Sequence, residues 1–354
     1  MTMTAKKKGS WLALVLALCL MAPLALAEGT DILFSFAGDC TLGGDESWMN
    51  YSIGTFKVMA QEQGDYAYFL EKAQPHFAKD DFTIVNLEGV LADSAKGLNP
   101  STKWNFRGAT EYVDILTLGS VEAVTLGNNH TADFGKTGLA STKETLQQAG
   151  IPFALDEETF ILEKEGVKVG FIGFYGPTLR RYGSKLPGLI SRLKSEEGCA
   201  AVVLMYHGGT QYRVKHNKQQ KEDMRYAIDS GADLVIGHHP HALQGIEVYN
   251  NRNIVYSLGN FCYGGNRKPR EVEYPSMVMQ VRMRFDSAGQ YLAQQLIIHP
   301  YEISATRPRN NYQPYPVTGD KALAAMETIQ ADTPFPLNPW VEGAGAVQNE
   351  VPAR

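Results

Sequence analysis

Short apolar runs alternate with amphipathic stretches along most of this chain. Residues 32–37, 82–87, 123–126, 167–174, 200–206, 234–236 and 254–257 are runs dominated by apolar side chains. Such runs read as strands buried on both faces. Between them, residues 66–78, 110–119, 136–149 and 218–230 mix apolar and charged positions at helical spacing. This alternation predicts an α/β fold, a layered α-β-β-α sandwich with mostly parallel strands. After Tyr274 the pattern changes. Residues 277–285 and 290–300 are β-rich around the turn signal Asp286-Ser-Ala-Gly289, which predicts a C-terminal antiparallel hairpin. Residues 321–329 read as a last helix. Three prolines and two glycines between Thr333 and Gln348 predict an irregular C-terminal tail over 333–354, leaving one domain over 28–332.

The N-terminus has a different logic. Lys6, Lys7 and Lys8 precede an apolar stretch, Trp11 to Leu26, broken only by Pro23 and followed by the small-x-small pattern Ala25-Leu-Ala27. At 16 residues the stretch falls short of the roughly 20 that span a bilayer, so residues 1–27 are expected to be a signal peptide. An uncleaved anchor is the alternative. Either way the expected location is extracytoplasmic, secreted or attached to the cell envelope.

Charge and cysteine content narrow the classes. The chain has 33 basic and 38 acidic residues, and without the three leading lysines the balance is 30 against 38. No basic block suggests a nucleic-acid partner. Cys40, Cys199 and Cys262 remain after the leader, an odd number that excludes a disulfide-built scaffold.

Candidate chemistry gathers at the ends of the predicted strands. Asp39, Glu88, the run Asn128-Asn129-His130, His207 and the run Gly237-His-His-Pro-His241 each follow an apolar run. In an α/β sheet the ligand crevice lies at the carboxyl ends of the strands, so these residues are expected to converge. His239 and His241 flank Pro240, which restricts the backbone between two rings that can ligate a metal. Each residue also has a plainer reading: Asp39 as a helix cap, Asn129 and His130 as turn residues, His207 as a hydrogen-bonded loop histidine. Glu88 resists such a reading, because a carboxylate closing so apolar a run needs a counter-charge.

With Gly38-Asp39, Asn86-Leu-Glu88, Asn128-Asn-His-Thr-Ala-Asp133, His207, residues 231–244 and Tyr256-Ser-Leu-Gly-Asn260-Phe261 taken together, the chain resembles the poly-γ-glutamate capsule biosynthesis CapA family. That family's fold is similar to calcineurin-like metallophosphoesterases. The resemblance implies metal ligands at Asp39, Glu88, Asn129, His207, His239 and His241, with Glu88 bridging and His238 able to substitute for either closing histidine. It implies a general acid or phosphate-orienting role for His130. Two positions depart from the pattern. Asp39-Cys40-Thr41 stands where metallophosphoesterases place Asp-x-His, and His207-Gly-Gly-Thr-Gln211 lacks the usual tryptophan and glutamate. The metal position beside Asp39 is therefore expected to be the weaker one.

Mixed oxygen and imidazole donors suit one or two divalent ions, Mn, Fe or Zn. Asp133 is expected to orient His130, Lys103 and Arg107 to receive an anionic substrate, and Asn260 to support the site. The expected activity is that of a metal-dependent hydrolase acting on a phosphoester or serving poly-γ-glutamate synthesis or export. The rival is a non-catalytic subunit that holds the polyanion beside membrane-bound synthesis or export partners. A third reading, a sugar- or peptide-binding protein without metal, makes the histidines incidental.

Overall fold

A computed structural model describes residues 29–353, so the expected signal peptide lies outside the described residues. Ten strands carry the architecture: β1 (Asp31–Thr41), β2 (Phe82–Leu87), β3 (Ala123–Thr125), β4 (Val167–Tyr175), β5 (Ala201–His207), β6 (Leu234–His238), β7 (Arg252–Val255), β8 (Asn260–Tyr263), β9 (Pro275–Phe285) and β10 (Tyr291–Glu302). β1 is the spine of one sheet, in the order β10-β9-β1-β2-β3. It runs parallel to β2, antiparallel to β9, and parallel to β8 where Asp39 meets Asn260. The second sheet runs β7-β6-β5-β4, all parallel, with an antiparallel strand added at each edge.

Side-chain alternation explains why the sheets stack. Ile32, Phe34 and Phe36 of β1 face Val169 and Phe171 of β4, Ala201, Val203 and Met205 of β5, and Leu234 and Ile236 of β6 in one core. The intervening residues face outward. Val202, Leu204 and Tyr206 pack under the helices Leu186–Ser195 and Lys218–Asp229 through Ile190, Leu193, Met224 and Ala227. Ala37, Val85 and Val124 pack under Phe56, Ala60 and Leu146 from the helices Phe56–Gln63 and Gly135–Gln148. Because each strand is apolar on both faces, each sheet needs two covers, and the result is the α-β-β-α sandwich expected from the sequence.

Three differences from the expected elements have physical reasons. The single helix expected over 66–78 is two pieces, a 3₁₀ turn Tyr66–Phe69 and a short helix Gln74–Phe77. Pro75 forces the break, since inside a continuous helix its ring would meet the carbonyl of Glu71. The helices Gly176–Tyr182 and Leu186–Ser195 fill a connection the periodicity did not mark. The C-terminal segment is more ordered than its composition suggests: Ala346–Val347 and Val351–Pro352 pair with β10, while Phe335, Leu337 and Trp340 pack against the inter-sheet core. The tail thus covers backbone groups that β10 would otherwise present as an open edge.

Candidate metal centre

The two sheets bring their carboxyl ends to one place, where the link Tyr256–Gly259 between them runs close past a glycine on each. A Cβ on Gly38 would lie 2.1 Å from the carbonyl oxygen of Gly259, and one on Gly237 would lie 2.1 Å from that of Tyr256. The backbone N–H of Asp39 donates to Gly259 O at 3.0 Å, which fixes the end of β1 beside β8. Beyond β6, His239 has φ 97° and His241 φ 53°, both in the left-handed region. Such conformations cost about 1–3 kcal/mol each in non-glycine residues and concentrate at functional sites. Here they aim two rings, centroids 5.9 Å apart, into a common space.

Two donor groups result. Glu88, His207 and His239 form one, and Asp39, Glu88 and His241 the other, with ligand atoms within 4.8 Å of one another in each. Asn129 joins the first group, its Oδ1 2.7 Å from His207 Nε2. His207 Nε2 is also 3.0 Å from His239 Nδ1 and 3.7 Å from Glu88 Oε1. In the second group His241 Nδ1 lies 3.2 Å from Asp39 Oδ2. Glu88 belongs to both, which is the position of a bridging ligand. Its side chain has no solvent exposure, and neither carboxylate oxygen has a hydrogen-bond partner. An anion buried without partners is costly, and a cation between the groups removes that cost. The donor set therefore fits divalent metal.

The electrostatics point the same way. Burial and the negative charge of Asp39 push Glu88 up to about 7. Burial also raises Asp39, but hydrogen bonds from His238 and His241 and the charge of His207 outweigh it and hold Asp39 well below the usual carboxylate range. Burial, then the proximity of His239, drives His207 well below an ordinary imidazole. Burial, then His241, carries His239 down to about 3. Both rings are neutral near pH 7 and offer lone pairs, as metal ligation requires. His241 behaves oppositely: burial lowers it, but Glu88 and Asp39 lift it to about 9.

The remaining expected residues divide. His130 reaches the cleft from the other side, its Nε2 3.7 Å from Glu88 Oε1 and its Nδ1 2.7 Å from Asp133 Oδ2. The Phe106 ring stacks on His130 at 4.1 Å, and Phe106 N donates to Asp133 Oδ2 at 2.6 Å. Asn260 Oδ1 is 2.8 Å from His241 Nδ1, beside the site as expected. His238 joins neither donor group; its Nδ1 faces Asp39 Oδ1 at 3.5 Å from a fully buried position. Lys103 lines the cleft of about 600 Å³ in front of His130 and His241. Arg107, expected to receive substrate, does not. Its Nε pairs with Glu46 Oε2 at 2.9 Å and its Nη1 donates to Ala92 O at 2.7 Å, so the side chain is spent on holding two loops together.

Other residues at the centre were given no role by sequence reasoning. Asn86 Nδ2 donates to Asp39 Oδ1 at 2.8 Å and lies 3.1 Å from His207 Nδ1, tying the two donor groups together from behind. Its place two residues before Glu88 was the available signal. Tyr175 closes β4 with its ring 6.1 Å from His207 and 6.4 Å from His239, one more strand end at the same crevice. Gln211, where the resembled pattern has a carboxylate, places its Nε2 3.4 Å from His241 Nε2. Trp48, Tyr212, Arg267, Lys268 and Arg270 complete the cleft from loops that carry no periodic pattern. The loops after His207 and His241 are braced by the C-terminal segment: Asp332 Oδ2 accepts from Gly245 N at 3.0 Å and His216 N at 3.1 Å, and Thr333 Oγ1 accepts from Ile246 N at 3.0 Å.

A stacked-sheet sandwich with two donor groups sharing Glu88 at its strand ends defines an α-β-β-α protein with a candidate metal site. The chain belongs to the bacterial capsule synthesis protein PGA_cap family, whose model matches residues 34–264. It is 26% identical over 298 residues to the PGA biosynthesis protein CapA of Bacillus subtilis (strain 168), covering 78% of this chain and 74% of that one. It is 27% identical over 267 residues to the capsule biosynthesis protein CapA of Bacillus anthracis, covering 69% and 62%. Among solved structures, NAD nucleotidase (NadN) of Haemophilus influenzae superposes with a TM-score of 0.45 at 12% identity, over 86% of this chain and 57% of that one. A hypothetical protein of Thermus thermophilus gives 0.43 at 14% identity, over 77% and 99%. At these levels the structural likenesses say nothing about the site.

Proposed function

We propose that this protein is an exported, divalent-metal-dependent hydrolase of phosphoester type that serves the making or export of a poly-γ-glutamate capsule. The observation that carries the reading is the Glu88 carboxylate, fully buried and unpartnered between two donor groups. Glu88, Asn129, His207 and His239 would hold one ion, and Asp39, Glu88 and His241 the other, with Mn, Fe or Zn suited to such donors. When bound, the metal supplies Lewis-acid activation and lowers the pKa of a water towards 7. The chain's own residues supply the rest. His130 moves a proton at Nε2 to the leaving oxygen, while Asp133 accepts from Nδ1 and keeps the ring in that orientation. Lys103 draws an anion to the cleft mouth.

A second reading is a non-catalytic subunit that holds the polyanion beside membrane-bound synthesis or export partners. The basic residues around the cleft, and Thr41 in place of the usual imidazole beside Asp39, favour it. The test is turnover of an activated phosphoester by the purified protein with Mn²⁺. Hydrolysis that disappears in Asn129→Ala supports the hydrolase; no turnover with Mn²⁺, Fe²⁺ or Zn²⁺ supports the binding role.

A further inference from the structure

The metal cleft does not end at its own rim. A second cavity of about 230 Å³ adjoins it, bordered by Tyr51, Ile53, Gly54, Arg267, Lys268 and Arg309. Arg267 and Lys268 border both cavities, so the two share that stretch of wall. The wall's charge is also unusual for this acidic chain. Arg107, Arg180, Arg225, Arg252 and Arg307 are each held by a carboxylate. Among the described residues, Lys103, Arg267, Lys268, Arg270 and Arg309 have no such ion pair. Glu273, a carboxylate lining the same cleft, is buried and turned to Asn266 Nδ2 and the backbone N–H of Arg270. Aromatic rings hold the guanidinium groups instead: Arg267 lies 4.7 Å from the Tyr51 ring and 5.6 Å from Trp48, and Arg270 lies 3.8 Å from Tyr212. Stacking fixes a guanidinium's position while leaving its donors free for anions. Tyr51 and Ile53 are 53% and 57% exposed, apolar surface beside the cations.

We propose that the cavity between Tyr51 and Arg309 is an outer subsite for the continuing segment of a polycarboxylate chain whose nearer units lie in the metal cleft. The protein thus grips a run of anionic units and not a single anion. The choice of a glutamate polymer rests on the capsule role proposed above; the shared wall of the two cavities does not. A carboxylate chain fits better than a compact anion, because the cations are strung along a wall and do not converge on one point. Apolar surface at Tyr51 and Ile53 suits the methylene groups between successive carboxylates.

The test is isothermal titration of the full protein with γ-linked glutamate oligomers, short and long, with and without Mn²⁺. The long oligomer is expected to bind about tenfold tighter or better than the short one, since each further engaged unit binds within the same molecule. Arg309→Ala and Tyr51→Ala are expected to bring the long-to-short affinity ratio towards one, and Arg309→Lys to retain much of it. Equal affinity for all lengths would overturn the proposal. So would an Arg309→Ala loss that is the same for short and long chains, or a length gain seen with polyphosphate and not with glutamate. Titration without metal reads the subsite independently, so an absence of phosphoester turnover bears on the hydrolase reading and leaves this one standing.

Discussion

Asn129 and His207, 78 positions apart in the chain, meet through Oδ1 and Nε2 at 2.7 Å. An amide oxygen and an imidazole nitrogen at this distance, with His239 Nδ1 and Glu88 Oε1 beside them, would form one side of the proposed metal's coordination sphere. Replacing Asn129 by Ala removes an oxygen donor without disturbing the buried rings. Metal affinity is expected to fall by about 10–100-fold or more, the loss already typical when only a ligand's outer partner is removed. Metal retained after dialysis, read against free Mn²⁺, measures it.

Glu88 gives the metal-free protein a pH signature. Its carboxyl is raised to about 7, so between about pH 4.5 and 7 the native state binds more protons than the unfolded chain. Its contribution to stability is therefore present at low pH and is lost as pH rises through that window. Glu88→Gln is expected to flatten this part of the stability curve. In the wild type the Mn²⁺-induced rise in Tm should grow with pH over the same range, as the ion no longer competes with a proton, and in Glu88→Gln it should be small throughout. Thermal unfolding from pH 5 to 8, with Mn²⁺ or with chelator, checks both.

Asp133 acts on the reaction through His130. In Asp133→Asn the amide oxygen can keep its contacts with Phe106 N and His130 Nδ1, but the His130 ring loses the negative charge beside it. A fall in kcat of about 10–100-fold with KM little changed is expected, together with a displaced His limb in the pH–rate profile. A change in KM alone would contradict the assignment.

Gly237 is where β6 passes the backbone of Tyr256. Gly237→Ala places a methyl 2.1 Å from a carbonyl oxygen, which cannot move aside as a side-chain end can. A loss of about 1–3 kcal/mol is expected, seen as a Tm lower by several degrees. Metal affinity should fall with it, because the displaced strand leads directly into His239 and His241.

Lys103 and Arg107 are close in sequence and separate in role. Lys103→Ala is expected to raise KM for an anionic substrate severalfold, an effect that salt diminishes. Arg107→Ala should leave KM unchanged and cost about 1 kcal/mol of stability through its pair with the half-buried Glu46. Kinetics in low and high salt, with a denaturation curve for each variant, distinguish them.

The sandwich was legible because its strands are apolar on both faces, as in Val202-Val203-Leu204-Met205, where neighbours feed different cores. The site was legible because its donors sit at strand ends, a position set by topology and independent of spacing along the chain. Arg107 misled because composition shows a charge and not its partner. The basic loop Arg267-Lys268-Pro269-Arg270 was invisible for a related reason: loop side chains have no period, and only folding shows which wall they face. The docking of the tail was not legible because prolines and glycines describe what a backbone avoids, while Phe335, Leu337 and Trp340 decide where it settles.

β9 pairs with β1 through six residues on the side away from β2, yet it begins eleven residues after the family match ends at residue 264. A fragment cut to the matched span would leave the central strand with a bare row of N–H and C=O groups, ready to join another molecule's strand. The natural unit of expression, crystallisation or domain transplantation is therefore wider than the stretch that identifies the family, and has to include both arms of the terminal hairpin.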